Sequence, residues 1–240
     1  MDGRILLDEG EVIPSLEDII EFTSIPRPHS QPYIQLHYRN GHYSGIPVPI
    51  IMLDLRGIPF GGIIPETIGT LTSLVSLTLC NNQLEGAIPE TIGLLTNLKT
   101  LSLSNNRLEG AIPESIGSLK YLEYLNLSKN RLEGAIPESI GSLIYLEHLI
   151  LANNRLEGAI PESISRLGYL QSLYLSGNQL SGEGFQHICQ LRRLGHLSAD
   201  NFWDAFEMPQ ELMRYGHDLH ERLEFIRNRL IEEENANDLK

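Results

Sequence analysis

The sequence predicts an α/β solenoid: short coils stacked so that each adds one strand to a concave parallel β-sheet of about seven strands. Three observations predict it. Residues 64–87 recur as 88–111, 112–135, 136–159 and 160–183, a period of 24 with no insertion. A fixed period in this range is the mark of stacked coils, because one unit cannot bury its own apolar face. Within each unit leucines alternate with small or polar residues, as at Ser76-Leu77-Thr78-Leu79-Cys80, which is strand periodicity with one face buried. A proline also recurs in every unit where the return path should begin.

The expected organisation is a cap over residues 1–49, an array over 50–202 and a second cap over 203–240. A raw solenoid end exposes apolar surface, so both ends need covering. At the N-terminus, 14–22 fits a short helix with Leu16, Ile19 and Ile20 on one side. Asn40-Gly41, between 33–39 and 42–48, is a two-residue hairpin signal, so a β-hairpin is expected over the first strand edge.

Inside the array each column has a physical role. Leu77/Leu79, Leu101/Leu103, Leu125/Leu127, Leu149/Leu151 and Leu173/Leu175 are inward strand positions. Ile92, Leu95 and Leu98 return to the core from the opposite side. Gly86, Gly110, Gly134, Gly158 and Gly182 fall where the chain must bend tightly. Asn82, Asn106, Asn130, Asn154 and Asn178 form one column, a ladder whose amides offer donors and an acceptor to the turn backbone of neighbouring coils, and no binding role is assigned to it. Glu66, Glu90, Glu114, Glu138 and Glu162 follow the repeat proline and favour a helix N-terminus. Arg107, Arg131 and Arg155 sit two residues before Glu109, Glu133 and Glu157, placed to pair with adjacent coils. Beyond the array, Leu212, Tyr215, Leu219, Leu223, Ile226 and Leu230 recur at spacings of three and four, which predicts a helix over 210–234 and a frayed tail.

Each unit reads close to L-x-x-L-x-L-x-x-N-x-L-x-G-x-I-P, and this pattern resembles the leucine-rich repeats, in the 24-residue plant-specific class. The resemblance covers about two thirds of the chain. It implies a right-handed superhelix shaped as a horseshoe or arc, and a role in binding a protein or peptide on the concave face. Extracellular plant members carry paired cysteines in their caps. Here the two cysteines, Cys80 and Cys189, lie far apart. Together with an N-terminus that lacks a basic start and a long apolar stretch, this predicts a cytoplasmic protein.

Composition excludes other classes. The net charge is -13, which argues against a nucleic-acid partner and against docking on anionic lipid. No apolar run approaches the ~20 residues of a membrane span, so no membrane insertion is expected. Phosphate-binding loops, nucleophile elbows and zinc-protease motifs are absent from the sequence, so neither catalysis nor a cofactor is expected. His217 and His220 lie three apart on the expected helix and His37 and His42 face each other across the expected hairpin; both read as surface pairs, not metal ligands. Asn126-Leu127-Ser128 matches a glycosylation sequon but falls inside a strand.

What remains is the concave surface. Its outward columns run Met52, Ser76, Thr100, Tyr124, His148, Ser172, His196 and Asp54, Thr78, Ser102, Asn126, Ile150, Tyr174, Ser198. The first half carries small hydroxyl residues. The second gathers Tyr124, Asn126, His148, Ile150, Tyr174 and His196, with Glu123, Glu147 and Gln171 as a polar rim. Large aromatic residues on a rigid platform are typical anchors, so this cluster is the expected partner-binding site. The expected function is a non-enzymatic protein-interaction module. The alternatives are a self-assembling structural protein, a homo-oligomer formed through the C-terminal helix, or an adaptor or regulatory subunit docking through that helix.

Overall fold

The computed structural model describes residues 52–57, 61–200 and 219–238. The helix expected at 14–22, the hairpin around Asn40-Gly41, His37, His42 and His217 lie outside these residues, as do Leu212 and Tyr215.

Seven short strands make the concave sheet: β1 (Met52–Asp54), β3 (Ser76–Thr78), β5 (Thr100–Ser102), β7 (Tyr124–Asn126), β9 (His148–Ile150), β11 (Ser172–Tyr174) and β13 (His196–Ser198). They lie in sequence order, all parallel, and every neighbouring pair is shifted by one 24-residue unit, as Met52 opposite Ser76 and Thr100 opposite Tyr124. The two outward columns read from the sequence are therefore true cross-strand columns. Backbone bonds extend the ladder past the strand ends, with Leu103 N–H to Asn126 O at 2.9 Å and Leu127 N–H to Ile150 O at 2.9 Å.

A second parallel sheet runs along the opposite side and was not expected from the sequence. Its strands are β2 (Gly61–Ile63), β4 (Gln83–Gly86), β6 (Arg107–Gly110), β8 (Arg131–Gly134), β10 (Arg155–Gly158) and β12 (Gln179–Leu180). Register sets Glu85 opposite Arg107, Glu109 opposite Arg131 and Glu133 opposite Arg155. Opposite charges thus neighbour one another across this exposed sheet, the arrangement expected for the arginine and glutamate columns. β4, β6, β8 and β10 each end on a glycine with φ between 72° and 78°. In the last regular coil the left-handed position moves from Gly182 to Gly184, φ 83°, where α1 (Phe185–Ile188) begins.

The return path is a 3-10 helix in each of five coils, such as Glu138–Ser142. The repeat proline precedes the helix in an extended conformation rather than occupying its first turn; Pro137 has φ -68° and ψ 145°. The following glutamate opens the helix, and two of these reach the next coil: Glu90 accepts from Ser115 N–H and Glu138 from Ser163 N–H, both at 3.2 Å. Hydrogen bonding from Ser163 holds the Glu138 carboxyl below its ordinary value. Helix packs on helix so closely that Gly69, Gly93, Gly117 and Gly141 have no room for a side chain. A Cβ there would lie 2.4–2.8 Å from the Cβ of Thr91, Ser115, Ser139 or Ser163 in the next coil. Ser165 replaces this glycine in the fifth helix, and the helix that packs on it from the next coil is α1, not another 3-10 helix.

Between the sheets lies one continuous core. In a single coil Leu77, Leu79, Leu84, Ile88, Ile92, Leu95 and Leu98 are all buried. At roughly 1.5–3 kcal/mol for each large side chain withdrawn from water, this stack is the main source of cohesion. The asparagine column completes it. Asn130 donates from Nδ2 to Leu103 O and Leu127 O, each at 3.0 Å, and its Oδ1 accepts from Leu108 N–H at 3.1 Å. Asn106 and Asn154 repeat the pattern. The residue before each ladder asparagine is left-handed: Asn81, Asn105, Lys129, Asn153 and Gly177 have φ of 55–73°. Asparagine and glycine suit that region; Lys129 does not.

The C-terminal helix α2 (Leu219–Asp238) runs four residues past the expected end at 234. Leu223 and Ile226 are buried in the array's core and Leu219, Phe225 and Leu230 pack against it. Arg227 donates to the carbonyls of Cys189 and Leu191. Those carbonyls lie in the last coil, so α2 docks on the end of the array. Burial pushes the Cys189 thiol up to about 12, leaving it an inert apolar filler.

Candidate functional site on the concave sheet

The outward side chains of β7, β9, β11 and β13 stand on strands whose alternate leucines, Leu125, Leu149 and Leu173, are fully buried. The core therefore fixes which residues face out. Tyr124 and His148 are cross-strand neighbours with ring centroids 5.8 Å apart and planes tilted by 57°. The next residue in that column is Ser172, followed by His196. A small side chain between two imidazoles opens a notch. It is lined by His148, Ile150, Gln171, Ser172, Tyr174, Arg193, Gly195 and His196, with a volume of about 710 Å³ open to solvent.

Five of the residues singled out from the sequence meet there: His148, Ile150, Gln171, Tyr174 and His196. Tyr124 borders them through His148. The other three stand apart. Asn126 is tied to its own strand, its Oδ1 accepting from the Ser128 hydroxyl at 2.7 Å and its Nδ2 donating to the Tyr124 hydroxyl at 3.2 Å. Glu123 pairs with Lys99 of the preceding coil at 2.6 Å. Glu147 does not line the notch. The first half of the sheet is different: Thr78 and Ser102 are buried.

Sequence reasoning missed two features. Arg193 lines the notch although it sits in the turn before β13. Its guanidinium lies over the Tyr169 ring, 4.4 Å from the centroid. Tyr169 is itself the end of an exposed column, Tyr121, Tyr145 and Tyr169, with centroids 6.3 and 6.0 Å apart. The signal was present, since these residues recur at 24, but they lie in the turn before each strand, outside the strand columns.

Cys80, half-buried on the concave side, has the Asn81 amide at 3.6 Å and no activating base in that contact. Among the described residues no group of three metal-ligating side chains converges, and no helix is long and apolar enough to cross a membrane.

Comparison with known proteins agrees with the geometry. The leucine rich repeat family model matches residues 72–132 and 121–180. The chain is 37% identical to the BIR2 ectodomain from Arabidopsis thaliana over 58% of its own length and 73% of that chain, with a TM-score of 0.53. The chain belongs to the leucine-rich repeat family. The array is also similar to the plant peptide hormone receptor RGFR1, solved in complex with RGF2, at 34% identity and a TM-score of 0.61 over 62% of this chain. The leucine-rich repeat chain spans only 24% of that receptor chain. A further similar structure is the BIR3–SERK2 complex from Arabidopsis thaliana, 42% identical over 56% of this chain and 71% of that one, with a TM-score of 0.51. No curated protein sequence matches the leucine-rich repeat chain.

Proposed function

We propose that this protein is a non-enzymatic interaction module that seats a peptide or a protein edge on the C-terminal half of its concave sheet. The observation that carries the reading is the notch over Ser172, walled by His148 and His196 and floored beside Ile150 and Tyr174. It offers one apolar wall, two imidazoles and one guanidinium around a space of about 710 Å³, room for several side chains of an extended segment. Rigid aromatic and arginine groups at the margin of a depression are the composition of binding hot spots. RGFR1, solved with the peptide RGF2, and BIR3, solved with SERK2, are similar arrays in complexes with other polypeptides. We place the protein in the cytoplasm, where its two free thiols persist.

Docking or dimerisation through α2 is the weaker reading, because Leu223 and Ile226 are already buried against the array. The test is affinity capture from source lysate. Wild type is compared with a Tyr124→Ala, His148→Ala, Tyr174→Ala triple variant whose thermal unfolding is unchanged. A partner captured by wild type and lost by the variant supports the site. Equal capture by both removes the site from consideration and returns attention to α2.

A further inference from the structure

The notch over Ser172 is one-sided in charge. His148, Arg193 and His196 around it bear nitrogen groups that are cations or become cations on protonation, and no residue lining it bears a carboxylate. This runs against the composition of the chain, with 31 acidic residues and 18 lysines and arginines. It also runs against the rest of the array. Arg107, Arg131 and Arg155 of the second sheet stand opposite Glu85, Glu109 and Glu133. Arg56 is bonded to both carboxylate oxygens of Asp54. A second depression, about 470 Å³ on the second sheet, is lined by Glu133 and Glu157 as well as Arg155.

Arg193 is not answered in this way. Among the described residues it forms no ion pair, and its guanidinium lies over the Tyr169 ring, 4.4 Å from the centroid. A ring face attracts a cation through its quadrupole but has no net charge, so this contact steadies the group without neutralising it. The nearby carboxylates are engaged or placed elsewhere. Asp200 accepts from Gly177 N–H at 2.6 Å, Glu123 pairs with Lys99, and Glu147 does not line the notch. Register puts His148, Ser172 and His196 in one column and Ile150 and Tyr174 in the next. Parallel strands lie about 4.8 Å apart, so the two histidines stand about 10 Å apart across buried Ser172. An imidazole donates an N–H to a carboxylate in either protonation state. A phosphate, with a charge of about -1.5 to -2, is matched by clusters of arginines. One permanent cation and two imidazoles suit the single charge of a carboxylate.

We propose that the notch selects an extended peptide segment by an internal glutamate or aspartate, whose carboxylate sits over Ser172 among His148, His196 and Arg193, with an apolar neighbour of that residue against Ile150 and Tyr174. This rests on the concave-sheet reading above and names the class of segment that the sheet takes.

The test passes peptide pools over the immobilised full chain and measures retained peptide by mass spectrometry. Each pool is acetylated and amidated, carries glutamate, glutamine, lysine or phosphoserine at its centre, and is randomised over uncharged residues on either side. A further glutamine pool ends in a free carboxylate. The glutamate pool is expected to be retained about tenfold more than the amidated glutamine pool, and the lysine pool least. Retained glutamate peptides are expected to be enriched in apolar residues beside the glutamate. Arg193→Gln, and the pair His148→Gln, His196→Gln, each narrow the glutamate preference, and Tyr174→Ala removes the apolar enrichment. Ring-proton shifts of His148 and His196 in the wild-type chain, larger with the glutamate pool than with the glutamine pool, give a readout that needs no variant. Equal retention of the glutamate and glutamine pools, both lost in Tyr174→Ala, would overturn the acidic preference and leave the concave site standing. A glutamate preference unchanged by Arg193→Gln and by the histidine pair would overturn the proposal. So would stronger retention of the phosphoserine pool or of the pool with a free terminal carboxylate. Retention of no pool would overturn it too, and capture from lysate then decides the concave site separately.

Discussion

The asparagine ladder and the exposed column of Tyr121, Tyr145 and Tyr169 are products of one 24-residue period, yet the first is set between coils and the second stands in water. Asn130, half-buried, joins two coils through hydrogen bonds with Leu103, Leu108 and Leu127. Tyr145 touches its two neighbours through ring contacts alone, at 6.3 and 6.0 Å, and remains 45% exposed. The contrast shows that repetition is not itself evidence of a structural role. What decides the role is whether neighbouring coils lose a satisfied backbone group when the side chain is removed.

That criterion is open to measurement. Asn130→Ala strands the Leu108 N–H and takes one of two asparagine donors from each of the Leu103 and Leu127 carbonyls, and a stability loss of about 2 kcal/mol is expected in urea unfolding. A loss under about 1 kcal/mol would erase the distinction between the two columns. Tyr145→Ala removes two exposed ring contacts, and a loss of about 1 kcal/mol is expected by the same measurement. If it matched Asn130→Ala, the tyrosine column would be framework after all. The smallest effect has the opposite sign. Lys129, at φ 55°, holds the left-handed place that asparagine or glycine holds in other coils. Lys129→Gly is expected to raise stability by up to about 1 kcal/mol, seen as a higher thermal midpoint.

Much of the fold was legible because the period fixes register. Once Leu77 and Leu101 are equivalent, their pairing in the sheet follows, and so do the outward columns beside them. The asparagine ladder was legible for the same reason, with a side chain whose donors and acceptor suit the gap between coils. The second sheet was not legible. A strand such as Arg131–Gly134 has one buried residue, Leu132, between exposed neighbours, too short for alternation to register. Its pairing is a consequence of stacking rather than of local propensity. In the candidate site, the meeting of His148, Ile150, Tyr174 and His196 followed from the columns, whereas the notch itself depends on the smallness of Ser172, which carries no signal as a single residue. Arg193 was missed because turn residues have no face that periodicity can assign. Asn126 stands outside the notch, bonded to Tyr124 and Ser128 of its own coil.

The glycine column of the 3-10 helices bears on how such a chain grows. At Gly69, Gly93, Gly117 and Gly141 the next coil's backbone occupies the place of a side chain, so any unit copied in beside them finds a surface already shaped to receive it. A tandem copying error in that stretch of the gene would yield a longer array with the same curvature and the same contacts. At Ser165 the interlock ends: a further 3-10 coil placed after it would meet a hydroxymethyl group where the pattern demands bare backbone. The molecule therefore carries its own growth point and its own stop. Natural variation in length is expected upstream of Ser165, with the last coil, α1 and α2 inherited together as a fixed ending.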